Sequence, residues 1–189
     1  SWGGTMGGNF EEEFINLPRT LDGSNKVLEI VSTHTLNNYA ALHEDGSITT
    51  WETPISEEKS NLLNGEVDVI KIVSNEQAFA AIKVDGSVVS WGRENYGFDY
   101  GGDYSDVEDK LDGSIDVIEI VGTTNSFAAI REDGSVVTWG EDSKYGNNTG
   151  NDSSLVASDL DGTIDVIEII EGTSSFVALR EDGSIVKWG

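Results

Sequence analysis

The sequence predicts an all-β fold, a β-propeller built from four tandem repeats of about 48 residues. Three observations lead there. Tryptophan recurs at Trp2, Trp51, Trp91, Trp139 and Trp188, at intervals of 49, 40, 48 and 49 residues. A fixed period of this size means stacked copies of one supersecondary unit. An Asp-Gly pair precedes four of these tryptophans, and the segments between carry period-2 alternation with no helical period.

The third unit justifies each strand. Asp116-Val117-Ile118-Glu119-Ile120-Val121 alternates, which places Ile118 and Ile120 on one face and Glu119 on the other. Gly122 to Asn125 is a turn, and Ser126-Phe127-Ala128-Ala129-Ile130-Arg131 is the second strand. Asp133-Gly134 reads as a two-residue hairpin, because Gly takes positive φ at no steric cost. Ser135-Val136-Val137-Thr138-Trp139 closes the unit. The other units keep this register, with Asp-Gly at 45–46, 85–86 and 182–183. The Ala pair of the second strand lets neighbouring sheets approach closely, and the aromatic residue before it fills the wider space between them.

Variable loops follow each tryptophan, at 3–22, 52–64, 92–112 and 140–161, and reach the next unit through Leu-Asp-Gly or Leu-Asn-Gly. A short fourth strand is expected there, for instance around Leu155-Val156-Ala157. The chain then reads as one domain, 1–189, with units at approximately 3–51, 52–91, 92–139 and 140–188. Four blades either close one ring or form part of a larger one.

The run Ser126 to Ile130, followed by Asp133-Gly134-Ser135-Val136-Val137-Thr138-Trp139-Gly140, resembles the regulator-of-chromosome-condensation repeat, especially its bacterial variants. The resemblance covers all four units and implies a β-propeller with one repeat per blade, or per offset blade. Two departures stand out. The slot where the eukaryotic repeat usually has His holds Ala78, Ser126 and Ser175, and Glu52 replaces the Gly after Trp51. The best-known member of that family is a nucleotide exchange factor that also grips nucleosomes. Its chromatin contacts need a basic surface, so the resemblance carries the fold and not that function.

Composition narrows the function. The 189 residues include 35 acidic against 11 basic side chains, a net charge of −24, with no cysteine and two histidines. Such a surface repels nucleic acid and anionic membranes. No apolar run is long enough to cross a membrane as a helix. Thiolate metal sites and disulfides are ruled out by composition. No nucleophile elbow, zinc spacing or phosphate loop appears, so an enzyme is not expected, nor is a cofactor. His34 and His43 are the only imidazoles. The cysteine-free, acidic, Gly/Ser/Thr/Asn-rich repeat composition suggests an extracellular or cell-surface protein, and the absence of an initiator Met and of a leader suggests that residue 1 is a processed terminus or a boundary cut within a longer chain.

Candidate interaction residues fall into several groups. Ser1-Trp2-Gly3 repeats the tail of the third strand that Lys187-Trp188-Gly189 completes. Trp2, Gly3, Trp188 and Gly189 are thus candidates for linking subunits head to tail by strand addition, against the plainer reading of a frayed boundary. The loop carrying Tyr96, Phe98, Asp99, Tyr100, Asp103 and Tyr104 offers aromatics beside carboxylates. It can stack a sugar, contact a protein, or simply tuck onto its blade. Asp99, Asp103, Asp106, Glu108 and Asp109, and the cluster Asn147, Asn148, Asn151 and Asp152, supply oxygen ligands of the kind Ca²⁺ takes. Neither has calcium-loop spacing, and solvated acidic surface explains both. Asn147-Asn148-Thr149 and Asn151-Asp152-Ser153 are formal glycosylation sequons, expected by chance in so Asn-rich a chain. His43, Lys83, Arg131 and Arg180 recur before each hairpin and suggest a ring of alternating charge on one face. The function expected is that of a non-enzymatic structural propeller, a subunit of an extracellular filament, sheath or repeat adhesin. Its partners are copies of itself, or other surface proteins and glycans. The alternative is a lectin-like propeller using loop 96–104.

Overall fold

A computed structural model describes residues 23–33, 37–53, 55–92, 102–140 and 152–189. Among these, twelve strands form four three-stranded antiparallel sheets, each a meander with its second strand in the middle. The first sheet is β1 (Val27–Ser32), β2 (Tyr39–His43) and β3 (Ile48–Trp51). The second is β4 (Val69–Ser74), β5 (Ala78–Lys83) and β6 (Val88–Gly92), and the third is β7 (Val117–Gly122), β8 (Ser126–Arg131) and β9 (Val136–Gly140). The fourth is β10 (Val166–Glu171), β11 (Phe176–Arg180) and β12 (Ile185–Trp188). The first strands lie side by side in succession, β1 by β4, β4 by β7 and β7 by β10. The sheets therefore converge on their first strands, as propeller blades converge on an axis.

Every first strand carries a bulge at the same place. Register shifts between Val27 and Glu29, Val69 and Lys71, Val117 and Glu119, and Val166 and Glu168. The expected alternation of Ile118 with Ile120 is corrected by this feature. The extra residue turns Ile118 outward, 59% exposed, while Val117 and Ile120 are buried at 3% and 2%. The hairpins also differ from expectation. Arg131 N–H donates to Ser135 O at 2.9 Å and Gly134 N–H to Arg131 O at 2.9 Å, so the loop has three residues. Gly134, at φ 73°, is the left-handed residue that such a loop places last.

The expected fourth strand does not form at Leu155-Val156-Ala157, which lies in a 3-10 segment, Ser154–Asp159. A 3-10 turn at Glu108–Lys110 and a helix α1 at Glu57–Leu62 hold the equivalent positions. None is long enough to print a helical period in the sequence. Ser56 caps α1 by accepting from the Lys59 amide at 3.2 Å. Each segment delivers a buried leucine, Leu63, Leu111 or Leu160. The carbonyls of these leucines accept from Ile48, Val88 and Val136 N–H, each at 2.9 Å. In the first three sheets, one hydrogen bond at the head of the third strand thus replaces a fourth strand.

The core consists of three joints between successive sheets. An aliphatic face of one sheet, Val73, Ala78, Ala80, Ile82 and Val88, meets an aromatic face of the next, Ile120, Phe127, Val137 and Trp139. The same pairing joins the first sheet to the second and the third to the fourth. The aromatic face is organised by a cross-strand stack. Tyr39–Trp51, Phe79–Trp91, Phe127–Trp139 and Phe176–Trp188 each lie with ring centroids 5.3 Å apart. Trp91, Trp139 and Trp188 are buried, at 0%, 4% and 5% exposure. Trp51 is only half-buried, because no described sheet stands in front of it.

Candidate interaction surfaces

The hairpin end of each sheet is built from a fixed set of polar contacts. Asp45, Asp85, Asp133 and Asp182 accept from the hydroxyls of Ser47, Ser87, Ser135 and Ser184, at 2.6, 2.6, 2.5 and 2.5 Å. The same carboxylates accept from the serine amides. The Ser47 hydroxyl first, then Asn25 and the Ser47 amide, bring Asp45 down to about 2. Burial pushes Asp85 and Asp133 up, but the Ser87 and Ser135 hydroxyls and amides outweigh it and hold both below the ordinary carboxylate range.

The recurring basic position belongs to this framework, which corrects the expected ring of surface charge. His43 and Lys83 are buried, at 1% and 7% exposure. Arg131 and Arg180 donate from Nε to Ser135 Oγ at 2.8 Å and Ser184 Oγ at 2.7 Å. The last residue of the second strand points inward, and only its successor, Glu44, Val84, Glu132 or Glu181, faces water. Arg180 also pairs with Asp159 at 3.2 Å.

Of the aromatic loop, Tyr96, Phe98, Asp99 and Tyr100 lie outside the described residues, as do Trp2, Gly3, His34 and both sequon asparagines. Tyr104 sits in the core between the second and third sheets at 7% exposure, and burial first, then Glu108 and Glu58, push its hydroxyl up to about 12. Lys59 Nζ lies 5.6 Å from the centre of the Tyr104 ring and donates to Gly102 O at 2.7 Å. These contacts fasten the loop's end to α1. Asp103 is exposed and accepts from the Ser105 amide at 2.9 Å. Trp188 is buried, and Gly189 follows it at φ 98°. Among the described residues, no group of three His, Asp or Glu side chains converges to hold a metal ion. A groove of about 830 Å³ opens between the third sheet and the segment before β10, with Arg131, Lys110, Asp152 and Asp161 on its walls.

The sequence reading missed the surface that the bulges create. Leu28, Ile70, Ile118 and Ile167 occupy one position in four sheets and are 55%, 59%, 59% and 55% exposed. A signal existed in the chain: a Val precedes an Ile by three residues in every unit, and in the last three units both are buried, a spacing that a regular strand cannot put on one face.

No protein-family profile and no curated protein matches the sequence. Solved structures do match. The ectodomain of the Arabidopsis thaliana receptor kinase ACR4 superposes with a TM-score of 0.56 at 13% identity, over 87% of this chain and 51% of that one. Prp20p of Saccharomyces cerevisiae, the yeast RCC1, superposes at 0.55 with 18% identity, over 92% and 46%. Human WBSCR16 gives 0.51 at 16% identity, over 88% and 48%. The fold is that of an RCC1-like repeat β-propeller. The chain spans about half the length of these matching propellers.

Within this propeller the outer faces of the first and last sheets differ from their internal counterparts. Ile30 is 60% exposed, whereas Ile72, Ile120 and Ile169 at the same position are buried at 5%, 2% and 4%. On the fourth sheet, Ile170 and Ile185 are 59% and 68% exposed. Their counterparts Val73, Val88, Val121 and Val136 are buried or pack against the next sheet.

Proposed function

We propose that this chain is a non-enzymatic interaction propeller that works by binding other proteins. The observation that carries the reading is the aliphatic residue set outward by a bulge in each of four successive sheets. Repeated exposed apolar side chains on a highly charged molecule favour a partner that covers them. Structures of the same fold support the kind of task without supplying the partner. Yeast Prp20 is bound to Kap60 in one, and the study of another concerns its binding to Gsp1p and histones. In its setting we place the chain outside the cell, as a subunit of a filament, sheath or repeat adhesin with copies joined head to tail through the terminal strands. The acidity and repetition of the chain motivate this placement.

Negative-stain electron microscopy at near-physiological salt tests it. Regular filaments or strings of beads are the expected result. Isolated particles at every concentration remove the polymer and leave a propeller that binds other partners.

A further inference from the structure

We propose that the groove between the third sheet and the segment before β10 binds a small saccharide carrying one carboxylate, held by Arg131 and Lys110. The site is separate from the bulge residues that carry the protein-binding reading. Three observations support it.

The first is the space. The segments that lead into the third and fourth sheets align on Leu111 and Leu160. Seven residues before Leu111 stands Tyr104, which packs in the core between the second and third sheets. Seven residues before Leu160 stands Ser153. The joint between the third and fourth sheets therefore lacks the ring that fills the one before it. Between the first and second sheets, Ile55 of the corresponding segment packs against the core. Ser153 instead lines the groove of about 830 Å³, a volume that small-ligand sites commonly take. Its walls are all internal to the chain: the third sheet and the segments before β7 and β10.

The second is charge. Arg131 and Arg180 hold the same place in the third and fourth sheets, and both donate from Nε to a hairpin serine. Arg180 also donates from Nη1 to Asp159, the residue before Leu160, at 3.2 Å. The residue before Leu111 is Lys110. The position that neutralises Arg180 thus holds a second cation for Arg131, on the wall of the same groove. Asp133 Oδ2 lies 3.8 Å from Arg131 Nη2, beyond hydrogen-bond reach. The Arg131 side chain is 16% exposed, and its terminal amino groups have no hydrogen-bond partner among the described residues. A largely desolvated guanidinium with its fork unoccupied takes a carboxylate through two parallel bonds, and Lys110 adds a point charge.

The third is the remaining wall. Asp152 and Asp161 carry the opposite sign, and Thr138 and Ser153 add hydroxyls whose oxygens lie 3.1 Å apart. Carboxylates accept from hydroxyl groups and repel a second anion. A ligand that suits both walls has one negative charge and several hydroxyls, which describes a sugar acid. A doubly charged phosphate ester suits only one.

Isothermal titration calorimetry of the full chain with D-glucuronate and D-galacturonate, at about 0.15 M salt, tests the site. At least one uronate is expected to bind saturably, and its uncharged methyl ester at least ~10-fold more weakly. Two variants test the walls separately. S153Y restores the side chain found at Tyr104 and is expected to abolish binding. K110D offers Arg131 the partner that Asp159 gives Arg180. It is expected to weaken binding at least ~10-fold while the thermal midpoint stays level or rises. Both substitutions copy a residue that a neighbouring unit already accommodates, so both chains should fold, and circular dichroism checks that. No saturable binding of either uronate overturns the site. Equal affinity for acid and ester, or for wild type and both variants, overturns the assigned contacts. Inorganic phosphate that binds as tightly as the uronate overturns the saccharide and leaves a plain anion site.

Discussion

Glu52 holds φ 60°, the one non-glycine residue in the left-handed region among those described. The equivalent positions after the other tryptophans hold Gly92, Gly140 and Gly189, all at positive φ. A side chain in that region costs about 1–2 kcal/mol, and Glu52 is exposed with no compensating burial. Glu52→Gly is therefore expected to stabilise the fold by about 1 kcal/mol, read as a raised urea midpoint with unchanged slope. The hairpin aspartates act at the same scale. Their folded carboxyls lie below the ordinary 3.8, Asp45 at about 2. The folded state therefore holds the charged form more tightly than the unfolded chain does. The stability this gives is complete above about pH 5 and is lost as pH falls toward 2. Denaturant midpoints measured across that range should fall, and Asp85→Asn with Asp133→Asn should flatten the fall.

At the scale of the element, burial separates tryptophans that the repeat makes look alike. Trp91 lies between two sheets with no exposure, and Trp91→Ala should cost about 3–5 kcal/mol. Trp51 is half-buried and stacks on the Tyr39 ring, so Trp51→Ala should cost less, about 2 kcal/mol. Paired urea titrations check the order. Equal losses would mean that Trp51 packs as tightly as Trp91. The strands themselves were legible because period-2 alternation and Asp-Gly turns are local signals, and β8 runs over the six residues read for it. The bulges were not, since Val-Ile-Glu-Ile looks like plain alternation until the partner strand fixes its register. The buried basic slot was hidden for a related reason. Arg131 has the composition of a surface residue, and the Ser135 hydroxyl four residues on, with the Asp133 carboxylate, explains its inward turn. The short helices just before Leu63, Leu111 and Leu160 offer no more than two turns of pattern each.

For the whole molecule, charge and repetition dominate. A net charge of −24 on 189 residues makes the compact state repel itself, and added salt screens that repulsion. The thermal midpoint is expected to rise by several degrees between low salt and about 0.5 M, as differential scanning calorimetry would show. A flat response would mean that the carboxylates lie too far apart to repel one another appreciably. The architecture was readable from the tryptophan period, and the number of units followed from it. Which faces remain open was not, because every unit carries the same face residues and exposure depends on neighbours that no single unit encodes.

Gly46, Gly86 and Gly134 each form a seat for the next first strand, pressed by Asp68, Asp116 or Asp165 and accepting from the following valine amide at 3.0 Å, and this seat gives the chain a direction in time. Gly46 and its carbonyl belong to a hairpin completed before Asp68 and Val69 are synthesised, and the same order holds at Gly86 and Gly134. A chain emerging from the ribosome N-terminus first thus meets, at each new first strand, an acceptor that has already folded. Unit by unit, growth of the polypeptide and growth of the fold run the same way. A circularly permuted chain that begins at the third sheet would have to make that sheet without its seat.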